Sequence, residues 1–208
     1  YLTEGNHTIG VRAKDAAGNW SDYGEHTVVI DTTPPGIPQP TTASPTSDAT
    51  PTWTWPAVSG AVMYHIILDD DSNLGGQTAE LTVSFATPLS EGSHTLKVQA
   101  QDAAGNLSAY GEHTVVIDTT APGIPQLTWT TPANDTTPSF TWSAITDATE
   151  YEVVMDGTVM YSGVMQNTAY THLEELSFGS HEFKVRAKDS VGNWSEYGVL
   201  SITIEAPS

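Results

Sequence analysis

The sequence has no cysteine. That excludes disulfide frameworks, thiolate zinc sites, CxxC redox motifs and cysteine nucleophiles. Basic residues are scarce: 6 Lys and Arg stand against 25 Asp and Glu, a formal net charge of −19. A chain so acidic is repelled by phosphate backbones, so nucleic acid is not an expected partner. Apolar residues make up 38% of the chain but never run long enough for a membrane helix, so membrane insertion is not expected either. Catalytic signatures are missing too: there is no G-x-S-x-G elbow, no G-x-x-x-x-G-K-[ST] phosphate loop and no H-E-x-x-H pair. No stretch shows a helical apolar period.

What is present is a repeat. KDAAGNWSDYGEHTVVIDTTPPGIPQ recurs as QDAAGNLSAYGEHTVVIDTTAPGIPQ, and again as KDSVGNWSEYG. Asp15, Asp102 and Asp189 follow one another at intervals of 87 residues (102 − 15 and 189 − 102), as do Trp55 and Trp142, and Tyr64 and Tyr151. An 87-residue unit has the size of a seven-stranded sandwich domain. The segments 31–36 and 118–123 combine Pro, which removes a ladder donor, with Gly, and read as short stiff linkers. These boundaries predict complete domains at 36–122 and 123–208, with 1–35 holding the last third of another repeat. Two strands alone are marginal in water, so that stub is expected to fray or to borrow support from a neighbour. The chain is then expected to be a piece of a longer array, or to lack most of its first domain.

Within a unit the apolar residues alternate with period 2, the signature of strands. Trp53 and Trp55 match Phe140 and Trp142; Tyr64, Ile66 and Leu68 match Tyr151, Val153 and Met155. Leu96, Val98 and Ala100 match Phe183, Val185 and Ala187, and the closing strand carries His113, Val115 and Ile117, or Leu200, Ile202 and Ile204. The expected fold is all-β, as tandem seven-stranded Greek-key β-sandwiches.

Trp55-Pro-Ala and Trp142-Ser-Ala resemble the second-strand tryptophan of fibronectin type III domains, and Tyr64 and Tyr151 resemble their third-strand tyrosine. The stretch from Leu89 to Asn106 resembles bacterial Ig-like repeats of large surface adhesins and secreted polysaccharide-active proteins. The resemblance implies an Ig or fibronectin type III-like architecture and says little of function, since this fold hosts many roles. The tyrosine-corner position is histidine here, at His7, His94 and His181. With no second ligand at metal spacing, each is read as a structural imidazole tying down the loop before its strand.

The Asp-x-x-Gly-Asn turns carry the main site hypothesis. Asp15 with Asn19, Asp102 with Asn106, and Asp189 with Asn193 flank a Gly that can take positive φ, so a purely structural turn is the default. In a sandwich this turn faces the preceding linker. That would bring Asp31 to Asp102 and Asn106, and Asp118 to Asp189 and Asn193, with Asp147 available to the second set. These oxygens could form modest junction calcium sites, as the resemblance to adhesin repeats also implies, although no D-x-D-x-D-G loop is present. A marine or halophilic setting explains the acidity equally well.

Asp69-Asp70-Asp71, whose counterpart is Asp156-Gly157-Thr158, reads as a solvated turn. All six basic residues, Arg12, Lys14, Lys97, Lys184, Arg186 and Lys188, fall on the outward face of the sixth strand, with Glu152 and Asp156 as expected partners. Trp20, Trp129 and Trp194 are the candidates for stacking on sugar rings. Trp20 and Trp194 give way to Leu107 in the middle repeat, which favours packing over binding. The functional expectation is a non-catalytic extracellular or cell-surface spacer, part of a bacterial adhesin or another large secreted protein. Its partners would be neighbouring repeats. The alternative is a carbohydrate-binding accessory module contacting cell-surface or matrix polysaccharide.

Overall fold

The computed structural model describes residues 1–163 and 167–206. Every regular element among them is a strand. The chain forms two compact units. Unit 1 comprises residues 1–44, 50–88 and 93–115; unit 2 comprises 45–49, 89–92 and 116–208.

Unit 1 opens with a hairpin of β1 (Gly5–Val11) and β2 (Gly24–Ile30), paired without interruption from Gly5↔Ile30 to Val11↔Gly24. The expectation for this segment is that it frays or borrows support from a neighbour; local contacts join its two strands. Thr8 and Thr27 hydroxyls hydrogen-bond across the pair at 2.8 Å, and the Arg12 guanidinium lies 4.3 Å from the Trp20 ring centroid. The hairpin nevertheless leaves its apolar row open: Ile9 is 62% and Val11 66% exposed, where the matching Leu96 and Val98 are fully buried.

The rest of unit 1 holds a short pair, β3 (Trp53–Thr54) with β6 (Thr82–Val83), and a four-stranded antiparallel sheet. That sheet runs β5 (Asp71–Thr78), β4 (Ala61–Leu68), β7 (Gly92–Asp102), β8 (Gly111–Ile117), although the first residue of β7 and the last two of β8 group with unit 2. Trp53, Leu68, Leu96, Val98, Ala100 and Val115 are fully buried, as the period-2 reading requires.

Among the described residues, unit 2 has seven strands in two sheets. One is β9 (Leu127–Trp129), β10 (Ser139–Trp142) and β13 (Ala169–Thr171), ordered β13-β10-β9. The other is β12 (Thr158–Gly163), β11 (Glu150–Met155), β14 (Gly179–Lys188) and β15 (Gly198–Ile204) in that spatial order. β11 pairs antiparallel with β12 and β14, and β14 pairs antiparallel with β15; the order β12-β11-β14-β15 requires a crossover between β12 and β14, as in an Ig-type sandwich. The core is Phe140, Trp142, Tyr151, Val153, Met155, Phe183, Val185, Ala187, Ile202 and Ile204. Phe140 and Phe183 stack with ring centroids 3.8 Å apart.

The acidic run finds its explanation in backbone geometry. Asp69 and Asp70 occupy φ of 54° and 59°, and Asp156 and Gly157 occupy 47° and 81°. Both pairs are the two-residue loop of a β-hairpin, whose tightest form needs two left-handed residues, and Asp and Gly tolerate that region better than most.

Candidate functional site

Each Asp-x-x-Gly-Asn segment is a closed hydrogen-bonded turn. Asp102 Oδ1 accepts from the Ala104 and Asn106 amides at 2.9 and 2.8 Å, and its Oδ2 accepts from Asn106 Nδ2 at 2.9 Å. Asp189 is engaged more fully: its Oδ1 accepts from the Val191, Gly192 and Asn193 amides at 2.9, 2.7 and 2.9 Å, and Oδ2 from Asn193 Nδ2 at 2.8 Å. The Asn106 hydrogen bonds hold the Asp102 carboxyl below its ordinary pKa against the opposing effect of burial. Burial pushes Asp189 up, but Asn193 and the turn amides outweigh it, and the net shift is downward. The glycine between them takes φ of 94° at Gly105 and 109° at Gly192, which closes the turn.

The turn also grips the linker. Asn106 Nδ2 donates to the Asp31 carbonyl at 3.0 Å, and Asn193 Nδ2 to the Asp118 carbonyl at 2.8 Å. Linker Thr residues are held a second time. Glu4 Oε1 accepts from the Thr32 amide, the Thr32 hydroxyl and the Thr33 hydroxyl at 2.9, 2.8 and 2.7 Å. Glu91, 87 residues on, accepts from the Thr119 amide at 2.8 Å and from its hydroxyl. Hydrogen bonds from Thr33 and Thr32 hold the Glu4 carboxyl below its ordinary pKa, and those from Thr119 do the same at Glu91.

The sequence-predicted calcium set is thus brought together in part. Asp31 and Asp102 line one cavity of about 310 Å³, and Asp118, Asp147 and Asp189 line its repeat equivalent of about 320 Å³. The Asp31 and Asp118 carboxylates also turn back onto their own linkers, accepting from the Thr33 and Thr120 amides at 3.1 and 3.2 Å. Asn106 and Asn193 meet the linkers with amide N–H groups. Among the described residues no group of three or more His, Asp or Glu is placed to hold a metal ion.

The corner histidines follow the structural reading, with partners that sequence reasoning missed. His181 Nδ1 lies 2.6 Å from Asp156 Oδ2 and its Nε2 is 2.8 Å from the Ser177 carbonyl oxygen. Asp156 Oδ1 accepts from the Glu182 amide at 2.8 Å. His94 meets Asp69 Oδ2 at 2.6 Å, and Asp69 Oδ1 accepts from the Thr95 amide at 2.7 Å. Asp156 therefore serves the histidine and not the basic row, because its left-handed turn aims the carboxylate back at β14. Glu152 does pair as expected, with Arg186 Nε at 2.8 Å, while Lys97 pairs with Asp70 at 2.7 Å and Lys188 with Glu150 at 3.6 Å. The missed Asp–His pairs had one visible signal: Asp69 and Asp156 share the 87-residue spacing of their histidines.

Among the tryptophans, Trp194 carries the Arg186 guanidinium 4.4 Å and the Lys188 amine 5.4 Å from its ring centroid. Trp20 carries Arg12 and Lys14 in the same way. Trp129 packs against the unit 2 core and donates its indole N–H to Thr131 Oγ1 at 2.8 Å. Trp20 is nevertheless 52% exposed.

The repeated turn, the linker and the two-sheet fold agree with the family comparison. The middle repeat, residues 40–119, matches the bacterial Ig-like domain family. The chain holding this Ig-like domain is 32% identical over 179 residues to Chitinase A1 of Niallia circulans, covering 80% of this chain and 25% of that protein. It is 34% identical over 191 residues to Exoglucanase A of Cellulomonas fimi, covering 83% of this chain and 21% of that protein. The chain thus spans a quarter or less of the length of these relatives. Among solved structures, fibronectin(III)-like modules from Clostridium thermocellum share 19% identity, with 80% of this chain and 94% of that chain covered and a TM-score of 0.49.

Proposed function

We propose that the chain is a non-catalytic spacer made of Ig-like repeats, belonging to an extracellular polysaccharide-active protein. The observation that carries this reading is the doubly held linker. Residues 31–33 and 118–119 are each gripped by a glutamate on one side and by an Asn side chain on the other. Such a segment has lost much of the freedom of a flexible linker, which suits a module that holds something at a distance. Mechanical repeats at 36–122 and 123–208 fit the same picture, with neighbouring repeats as the partners. The chitinase and exoglucanase relatives support a polysaccharide-active parent over a surface adhesin. The turn carboxylates are occupied by amide donors of the turn.

The test uses the parent protein with and without these repeats. Loss of the repeats should lower hydrolysis of insoluble polysaccharide and leave turnover of a short soluble oligosaccharide unchanged. Equal loss on both substrates, or sugar release by the repeats alone, would refute the spacer reading.

A further inference from the structure

Unit 2 contains a cavity of about 580 Å³ whose lining includes Met155, Met160, Tyr170, His172, Glu174 and Leu176. Its size lies within the range of small-ligand pockets, roughly 300–1,000 Å³. The floor is apolar: Met155 is 2% exposed and belongs to the core. The polar groups are unusual for such a place. His172 is only 7% exposed, and its Nδ1 sits 3.3 Å from the Tyr170 hydroxyl. Burial, reinforced by the Glu174 carboxylate, holds the Tyr170 phenol above its ordinary pKa, so it stays a hydrogen-bond donor at neutral pH.

The other repeat shows what a purely structural solution looks like. The positions 87 residues earlier are Leu68, Asn73, Val83, Phe85, Thr87 and Leu89. Phe85 packs edge-on against Trp53, with ring centroids 5.9 Å apart. Replacing that apolar plug by a buried imidazole is unfavourable unless its polar atoms find partners. Unit 2 has made this exchange together with a Tyr and a Glu.

An apolar floor edged by a phenol, an imidazole and a carboxylate suits a ring with a C–H face and hydroxyl edges. Anionic ligands would be repelled by Asp156 and Glu174, and a wholly apolar one would strand the polar groups unpaired. Asp156 is already engaged by His181 and the Glu182 amide, which leaves hydroxyl recognition to Tyr170, His172 and Glu174. We propose that this cavity is a subsite for one hexopyranose unit of a neutral β-linked glycan, seated over Met155 and Leu176 with its hydroxyls on those three side chains. The inference rests on the polysaccharide-active reading above and gives unit 2 a contact with the polymer.

The experiment is an NMR titration of the full chain with cellohexaose and, separately, with chitohexaose. Saturable shifts confined to the cavity residues are expected with at least one of them, and the one that binds distinguishes a glucan from a chitin source. His172→Phe, which copies the middle repeat, and Tyr170→Phe, which keeps the ring stacked on Phe183 and removes only the hydroxyl, should each weaken binding at least about tenfold without lowering the melting temperature. Glu174→Thr, in a third position, serves where either of those fails to fold. No saturable shift with either sugar, or equal affinity in the folded variants, would overturn the proposal. Such a failure leaves the spacer reading standing, because that reading is judged by deletion from the parent protein.

Discussion

Gly111 begins β8 where the chain of the same unit passes at contact distance. A Cβ placed there would lie 1.7 Å from the Pro38 carbonyl oxygen, 2.8 Å from its carbon and 3.2 Å from Pro40 Cδ. The first two are backbone atoms of a fully buried residue, so no rotamer change relieves the clash. The strands would have to part by about 1.5 Å or more to reach ordinary contact. Overpacking of this kind costs about 1–3 kcal/mol, and rigid backbone on both sides places it at the upper end. Against it stands about 0.4–1 kcal/mol from the reduced freedom of the unfolded chain. Gly111→Ala should therefore destabilise unit 1 by about 2 kcal/mol, lowering its melting temperature by about 8–16 °C. Calorimetry of the full chain measures this, with Gly76→Ala as the control. Gly76 lies on β5 with nothing within 4 Å of its added Cβ, so that variant should be neutral or slightly more stable. Gly198→Ala, whose Cβ meets the Pro125 oxygen at 1.9 Å, should lower the melting of unit 2 in the same way. An unchanged or raised melting temperature in Gly111→Ala would refute the close-approach argument.

The His181–Asp156 pair predicts a pH window for unit 2. The Asp156 hydrogen bond raises the His181 pKa above 6.5, so its contribution is complete below that value and fades as pH rises through the folded pKa. Asp156 is pushed up by burial but held below 3.8 overall by His181 and the Glu182 amide, so its contribution fades as pH falls through its folded pKa. Urea titrations of unit 2 across pH should show this fall above pH 6.5, and His181→Gln should flatten it. Asp189→Ala removes four hydrogen bonds from a buried turn and should cost unit 2 about 2–3 kcal/mol in urea denaturation. Asn193→Ala should cost about 1 kcal/mol and speed amide exchange of linker residues 118–120. Melting in EDTA and then in millimolar calcium should give the same temperature, because Asp102 and Asp189 already accept amide donors on both oxygens. A rise that Asp118→Ala abolishes would instead establish a junction calcium site.

Alternation and repetition carried the architecture because they are one-dimensional signals. A period of 2 places Leu96, Val98 and Ala100 on one face whatever lies opposite, and an 87-residue interval aligns the core strands of one repeat with those of the next. Turn chemistry was legible for the same reason, since Asp-x-x-Gly-Asn closes upon itself over five residues. The direction of its Asn side chain was not. Asn106 donates to a carbonyl 75 residues away, a distance in sequence that no local pattern encodes. Asp156 was assigned to the basic row because both face the same sheet, yet its positive φ turned the carboxylate to His181.

By itself the sequence determined an all-β repeat chain, its strand faces, its proline-bearing linkers and its acidity, all of which follow from residue type and spacing. Only the tertiary structure decided which groups meet. Glu91 on the Thr119 amide, Gly111 beneath the Pro38 carbonyl and His172 beside the Tyr170 hydroxyl depend on how strands distant in sequence pack side by side. Such meetings are set by chain closure in three dimensions, where a shift of a single ångström separates a hydrogen bond from open space.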